Sequence, residues 1–92
     1  MSEIEVTRTD VEQFLSQFHV RVTDAGSTTE HDVTLSRGDH ERLGGGYPSP
    51  DAFIRACFEF LLDREPKESI LRSFDVGQIA DYFPEFDRTI VR

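Results

Sequence analysis

The chain of 92 residues has one cysteine, one methionine, one lysine and no tryptophan. A single cysteine excludes an internal disulfide and any cysteine-cluster zinc site. No apolar run approaches the roughly 18 residues needed to span a bilayer. The opening Met1-Ser2-Glu3-Ile4-Glu5 lacks the basic start and apolar stretch of a secretory leader, so a soluble, cytoplasmic protein is expected. Positive charge is scarce too. Ten Lys and Arg stand against eighteen Asp and Glu, a formal net charge of −8, which argues against a dedicated binder of nucleic acid or of anionic membrane. The carboxylates are spread along the chain, mostly on predicted polar faces, and a solvated surface accounts for them.

Apolar residues are not scarce. Ile, Leu, Val and Phe make up 26 of the 92 residues, above the roughly 20% below which a charged chain stays unfolded. A chain of this length has room for one core, so residues 1–92 are expected to form one domain, with 18–90 as its core and 1–17 as a helical addition. Helix starts are legible because a side-chain oxygen at the N-cap satisfies backbone N–H groups the helix leaves unpaired. Thr9 precedes Glu12 at capping-box spacing, and Val11, Phe14, Leu15 and Phe18 follow on one helical face; the expectation is a helix over 10–17. Phe14, Phe18, Val20 and Val22 also fit a two-residue period, which blurs its end. Ile4 and Val6 alternate with polar neighbours, as in a short edge strand or a polar tail.

Residues 19–23 and 30–35 alternate with Val20, Val22, Val33 and Leu35 on one face, and Asp24-Ala25-Gly26-Ser27-Thr28 supplies turn residues between them. A two-residue loop at Gly26-Ser27 is preferred, because it opposes Val20 to Val33 and Arg21 to Asp32. Ser36 and Asp39 open a short helix through Leu43, ended by Gly44-Gly45-Gly46. Ser49-Pro50 begins the strongest element, a helix over 50–63 with Ile54, Cys57, Phe58 and Leu61 in one stripe, widened by Phe53, Phe60 and Leu62. Pro66 breaks the chain after Glu65 and restarts a helix over 66–73 that turns Ile70, Leu71 and Phe74 inward. Asp75 and Gln78 form a further capping pair, followed by Val76, Ile79, Ala80 and Phe83 until Pro84; Phe86 and Ile90 pack the tail. The expected fold is α+β: a small β-hairpin sheet, with or without an extra edge strand, against three to five short helices. A two-stranded sheet is marginal alone, so helix 50–63 should cover it, and its free edges would pair across a symmetric homodimer.

Each chemical constellation has a plainer reading. His19, His31 and His40 lie near Asp32, Asp39 and Glu41, but their spacing matches no metal motif and the hairpin puts His19 and His31 on opposite faces, so no metal site is assigned. Cys57 sits mid-helix on the apolar stripe with no histidine on that helix, which makes it a small core hydrophobe rather than a nucleophile. The triple glycine follows a helix and precedes Tyr47-Pro48, the wrong context for a phosphate loop. Residues 66–73 and 76–83 have the lengths of a helix-turn-helix, yet the second helix would present Gly77, Gln78 and Asp81 to an anionic backbone.

The run Arg64-Glu65-Pro66-Lys67-Glu68-Ser69-Ile70-Leu71-Arg72-Ser73-Phe74-Asp75, with Ile79 and Tyr82-Phe83-Pro84-Glu85, resembles the tail of a family of short uncharacterised bacterial proteins. The likeness extends to a β-hairpin and a helix beginning near Ser-Pro, and covers about residues 18–90. It implies one compact bacterial domain and no activity, cofactor or catalytic residue. The functional expectation is a non-enzymatic protein-interaction module with no cofactor and a protein partner, basic on electrostatic grounds. Tyr47, Arg64, Lys67, Arg72 and Tyr82 are its candidate contacts, being polar or aromatic and outside the core stripes. The alternative is a nucleic-acid-binding regulator using the 66–83 helix pair; a hydrolase or metal enzyme would need the histidines gathered in one pocket.

Overall fold

Apolar and polar residues alternate through three successive segments, and each becomes a strand of one sheet in the computed structural model, which describes residues 2–92. Strand β1 (Glu3–Val11), β2 (Leu15–Asp24) and β3 (Ser27–Ser36) form an antiparallel meander, and a short β4 (Ser73–Asp75) adds in parallel to β3. Between β3 and β4 lie α1 (Arg37–Leu43) and α2 (Pro50–Leu62); after β4 come α3 (Ile79–Tyr82) and α4 (Phe86–Ile90), with 3-10 turns at Lys67–Ser69 and Val76–Gln78. The fold is α+β, a four-stranded mixed sheet packed against four α-helices among the described residues. No described helix is long and apolar enough to cross a membrane.

The N-terminal segment is a strand and not the helix expected over 10–17. Residues 10–17 carry the end of β1, a turn and the start of β2, and of the expected stripe Val11 is 59% and Phe14 65% exposed while only Phe18 is buried. As a strand the segment supplies hydrogen-bond partners along the edge of β2 and brings Ile4 into the core. Thr9, the expected N-cap, is instead the extra residue of a bulge between Arg8 and Asp10.

The hairpin turn also differs from expectation. It closes at Ala25-Gly26, one residue earlier, so Val20 faces His31, Phe18 faces Val33 and His19 faces Asp32; the expected Val20–Val33 and Arg21–Asp32 pairs do not form. Ala25 has φ 54° and Gly26 φ 79°, the two positive angles of a type I′ turn, whose twist matches that of the flanking strands. The register moves by two residues, which keeps Val20, Val22, Val33 and Leu35 on the buried face.

Three caps form as the sequence indicates. Ser36 Oγ accepts from Asp39 N and Ser49 Oγ from Ala52 N, both at 3.1 Å. Asp75 and Gln78 make a reciprocal capping box. Helix α2 buries Phe53, Ile54, Cys57, Phe58, Phe60 and Leu61, and its aromatic rings continue into neighbouring elements: Phe58 meets His31 and Phe74, and Phe60 meets Phe83 and Phe86. Phe86 and Ile90 close the core from the tail.

The helix expected over 66–73 is absent. A single 3-10 turn follows Pro66, then the chain runs extended into β4, with Ile70 and Phe74 buried but Leu71 47% exposed. The edge of β3 demands this, because its backbone groups find partners only if an extended segment lies beside them. The 66–83 helix pair therefore does not form. Of the two hairpin edges that motivated the homodimer, β1 pairs along most of β2, and β4 pairs with Asp32–Thr34 of β3. The remaining long edge, β1, carries Glu3, Glu5 and Arg8 and a bulge, features that discourage strand addition.

Alanine is a poor residue for φ 54°, where its Cβ crowds the following carbonyl. Ala25→Asn, which restores the favoured Asn-Gly pair, should raise the unfolding free energy by about 0.5–1 kcal/mol in urea denaturation. No gain would mean that the turn is not type I′ in solution.

Candidate apolar docking groove

The break after α2 builds the site. The N–H groups of Arg64 and Glu65 both return to the Leu61 carbonyl, at 3.0 and 2.9 Å, and end the helix. Pro66 then fixes an extended φ of −68° and disfavours helical geometry at Glu65. Three polar anchors hold the following segment against the sheet. Lys67 is buried, 5% exposed, its Nζ donating to the Asp24 carbonyl at the hairpin turn (3.0 Å) and pairing with Glu68 (2.8 Å). Asp32 N donates to the Arg72 carbonyl at 2.7 Å. His31, 1% exposed, lies 2.8 Å by Nδ1 from the Leu71 carbonyl and 2.8 Å by Nε2 from Thr29 Oγ1. A carbonyl only accepts, so Nδ1 carries the proton and Nε2 of the neutral ring accepts from the Thr29 hydroxyl.

The segment so held contributes Ile70, Leu71 and Phe74 to a groove of about 300 Å³, which the capped turn after β4 completes with Ile79, Tyr82 and Phe83. Leu61 of α2 joins them, while Glu65, Ser69 and Gln78 supply its polar atoms. Leu61, Ile70, Phe74 and Ile79 are buried and form the base; Leu71 and Tyr82 stand in solvent, Tyr82 at 65% exposure. Glu65 is half-buried and makes no ion pair or side-chain hydrogen bond among the described residues, and burial pushes its carboxyl above the ordinary glutamate value.

Of the five contacts named from sequence, Tyr82 alone lines this groove. Arg64 does not line it; its guanidinium lies 3.6 Å from the Phe60 ring centroid and bonds to Glu85 and to the Phe60 carbonyl. Lys67 is the buried anchor just described. Arg72 is exposed beside β4 but lines no part of the groove. Tyr47 belongs to another corner, where its hydroxyl donates to the Ile90 carbonyl and its ring packs between Phe53 and Arg92. Leu71 and Glu65 are not among the contacts that the sequence suggests: the helical stripe predicts Leu71 in the core, and Glu65 is marked only as the residue before Pro66 within the 64–75 run.

The other chemistry-bearing side chains are separated. His19, on the outer face, lies with Nδ1 2.9 Å from Asp32 and Nε2 2.8 Å from Glu30; these bonds raise its pKa, Asp32 contributing most. His40 packs edge-on against Phe53. Burial lowers the pKa of His31 and pushes the Cys57 thiol far above its usual value. No cluster of three or more metal-ligating side chains occurs among the described residues. No family model, curated protein or solved structure matches the chain, so the functional reading rests on the groove's own geometry.

The two engaged histidines pull stability in opposite directions with pH. Native His31 holds a proton less well than the unfolded chain, so unfolding takes up a proton and stability falls as pH drops through the ordinary value of 6.5. Native His19 binds its proton more tightly, so its contribution is present below 6.5 and is lost as pH rises through its elevated folded value. His31→Gln should cost about 1–3 kcal/mol at neutral pH and flatten the fall in stability from about pH 7 to pH 5. His19→Gln should steepen that fall. Urea titrations across this window check both, and nitrogen NMR showing the Nε2–H tautomer at His31 would contradict the assignment.

Proposed function

We propose that this chain is a non-enzymatic protein-interaction module that docks its partner in the groove between residues 65–74 and 78–83. One observation carries the reading: two large apolar side chains, Leu71 and Tyr82, stand in solvent on the same concave surface, above a base of buried apolar residues. Covering the part of each that is still exposed is worth about 1–2 kcal/mol. Exposed apolar surface gathered in one concavity is what a docking site presents, whereas scattered exposed residues mean little.

The disposition of the reactive side chains supports the non-enzymatic part. Cys57 is sealed in the core with its thiol protonated, both nitrogens of His31 are engaged, and both nitrogens of His19 lie against carboxylates. The reading takes the module to be a soluble cytoplasmic monomer with a protein partner. β1 and the short β4 take up part of the hairpin edges whose pairing motivated a homodimer.

The test is a photo-crosslinking side chain placed at position 82 and, as a control, at position 47, in protein expressed in its own host. Capture of one protein from position 82 and not from 47, abolished by Leu71→Ala, is the expected result. Because Leu71 and Tyr82 are exposed, the double alanine variant should keep its stability to within about 0.5 kcal/mol. Unchanged capture from position 82 in the Leu71→Ala background, or undiminished pull-down of the captured protein by the double alanine variant, would overturn the reading, as would a mobility shift of random duplex DNA at low salt, where phosphate contacts are strongest.

A further inference from the structure

Glu65 gives the groove a chemical preference. It is an acidic side chain at a surface otherwise dominated by apolar atoms, it is half-buried, and it lacks a cation partner among the described residues. Its nearest basic neighbours in sequence are committed elsewhere: Arg64 to Glu85 and the Phe60 ring, Lys67 to the Asp24 carbonyl and Glu68. A partner that seats an apolar side chain between Leu71 and Tyr82 strips further water from this carboxylate. Unpaired, the charge would oppose docking; met by a cation in the same low-dielectric setting, it would hold the partner in register. The surplus of eighteen acidic over ten basic residues steers the same class of partner at long range.

We infer that the groove takes a segment of a basic protein, one that inserts an apolar side chain between Leu71 and Tyr82 and brings a Lys or Arg to the Glu65 carboxylate. The inference rests on the docking reading above and adds the partner's chemistry. Leu71 and Tyr82 provide adhesion and Glu65 selects, because an acidic or neutral segment would leave its charge uncompensated.

A phage-displayed library of random dodecapeptides, selected against the full chain at low salt, supplies the probes, and fluorescein-labelled copies of the enriched peptides give affinities by anisotropy. Enriched peptides should pair a bulky apolar residue with Lys or Arg. Glu65→Gln should weaken them about tenfold or more and remove most of the salt dependence. Replacing the peptide's basic residue by Ala should produce the same loss on wild type and no further loss on the variant, which distinguishes direct pairing from an altered groove. Tight binding that needs Leu71 and Tyr82 but ignores Glu65→Gln would overturn the basic-partner inference and leave the groove reading intact. Binding indifferent to Leu71→Ala and Tyr82→Ala, or no enrichment at all, would overturn both. A mass by light scattering that rises with concentration in wild type but not in Leu71→Ala would assign the groove to a second copy and equally overturn the inference.

Discussion

His31 donates a hydrogen bond to the Leu71 carbonyl from a site closed to water, and the segment that builds the groove is placed by that bond. With the neighbouring Asp32–Arg72 bond it holds residues 71–75 extended beside β3. Extension turns Ile70 and Phe74 inward and Leu71 outward, whereas the helical stripe over the same residues would turn all three inward. The capping box at Asp75 then starts the short helical turn that carries Tyr82. A buried imidazole is costly unless both nitrogens are satisfied, and here Thr29 and Leu71 satisfy them. The same residue that closes the sheet thereby presents the groove.

Edge satisfaction explains the other large features. A hairpin offers two rows of unpaired backbone groups, and this chain pairs one with β1 and the middle of the other with β4. The sheet runs through residues whose local patterns favour helix: 10–17 carry the end of β1, its turn and the start of β2, and 66–73 lead into β4. Local preference amounts to a few tenths of a kcal/mol per residue, while each backbone group left buried without a partner costs about 1–3 kcal/mol. The sheet wins in both places.

The charged outer face follows from the turn. Closing at Ala25-Gly26 sets His19 opposite Asp32 with Glu30 one diagonal away, and brings Arg21 between Glu5 and Glu30 in register. These are exposed pairs that settle pairing partners more than they add stability. On the opposite face the two-residue change of register alters no burial, which is why apolar alternation alone could not distinguish the two turns.

Much of the molecule was legible in its residues. Ser36, Ser49-Pro50 and Asp75 with Gln78 announce their helix and turn starts because capping is a local matter of one side chain and two or three N–H groups. The inner face of Val20, Val22, Val33 and Leu35 and the stripe of α2 follow from period alone, and so does the burial of Cys57. The groove was not legible, beyond Tyr82. Its rim comes from Glu65, Leu71 and Tyr82, and whether Leu71 faces water or core depends on a hydrogen bond to His31, forty residues earlier. Composition and local pattern are enough to decide that an acidic α+β domain forms and which residues line most of its core. Which segments become strands, where the hairpin closes and which apolar side chains stay outside are decided only when distant backbone groups compete for the same partners.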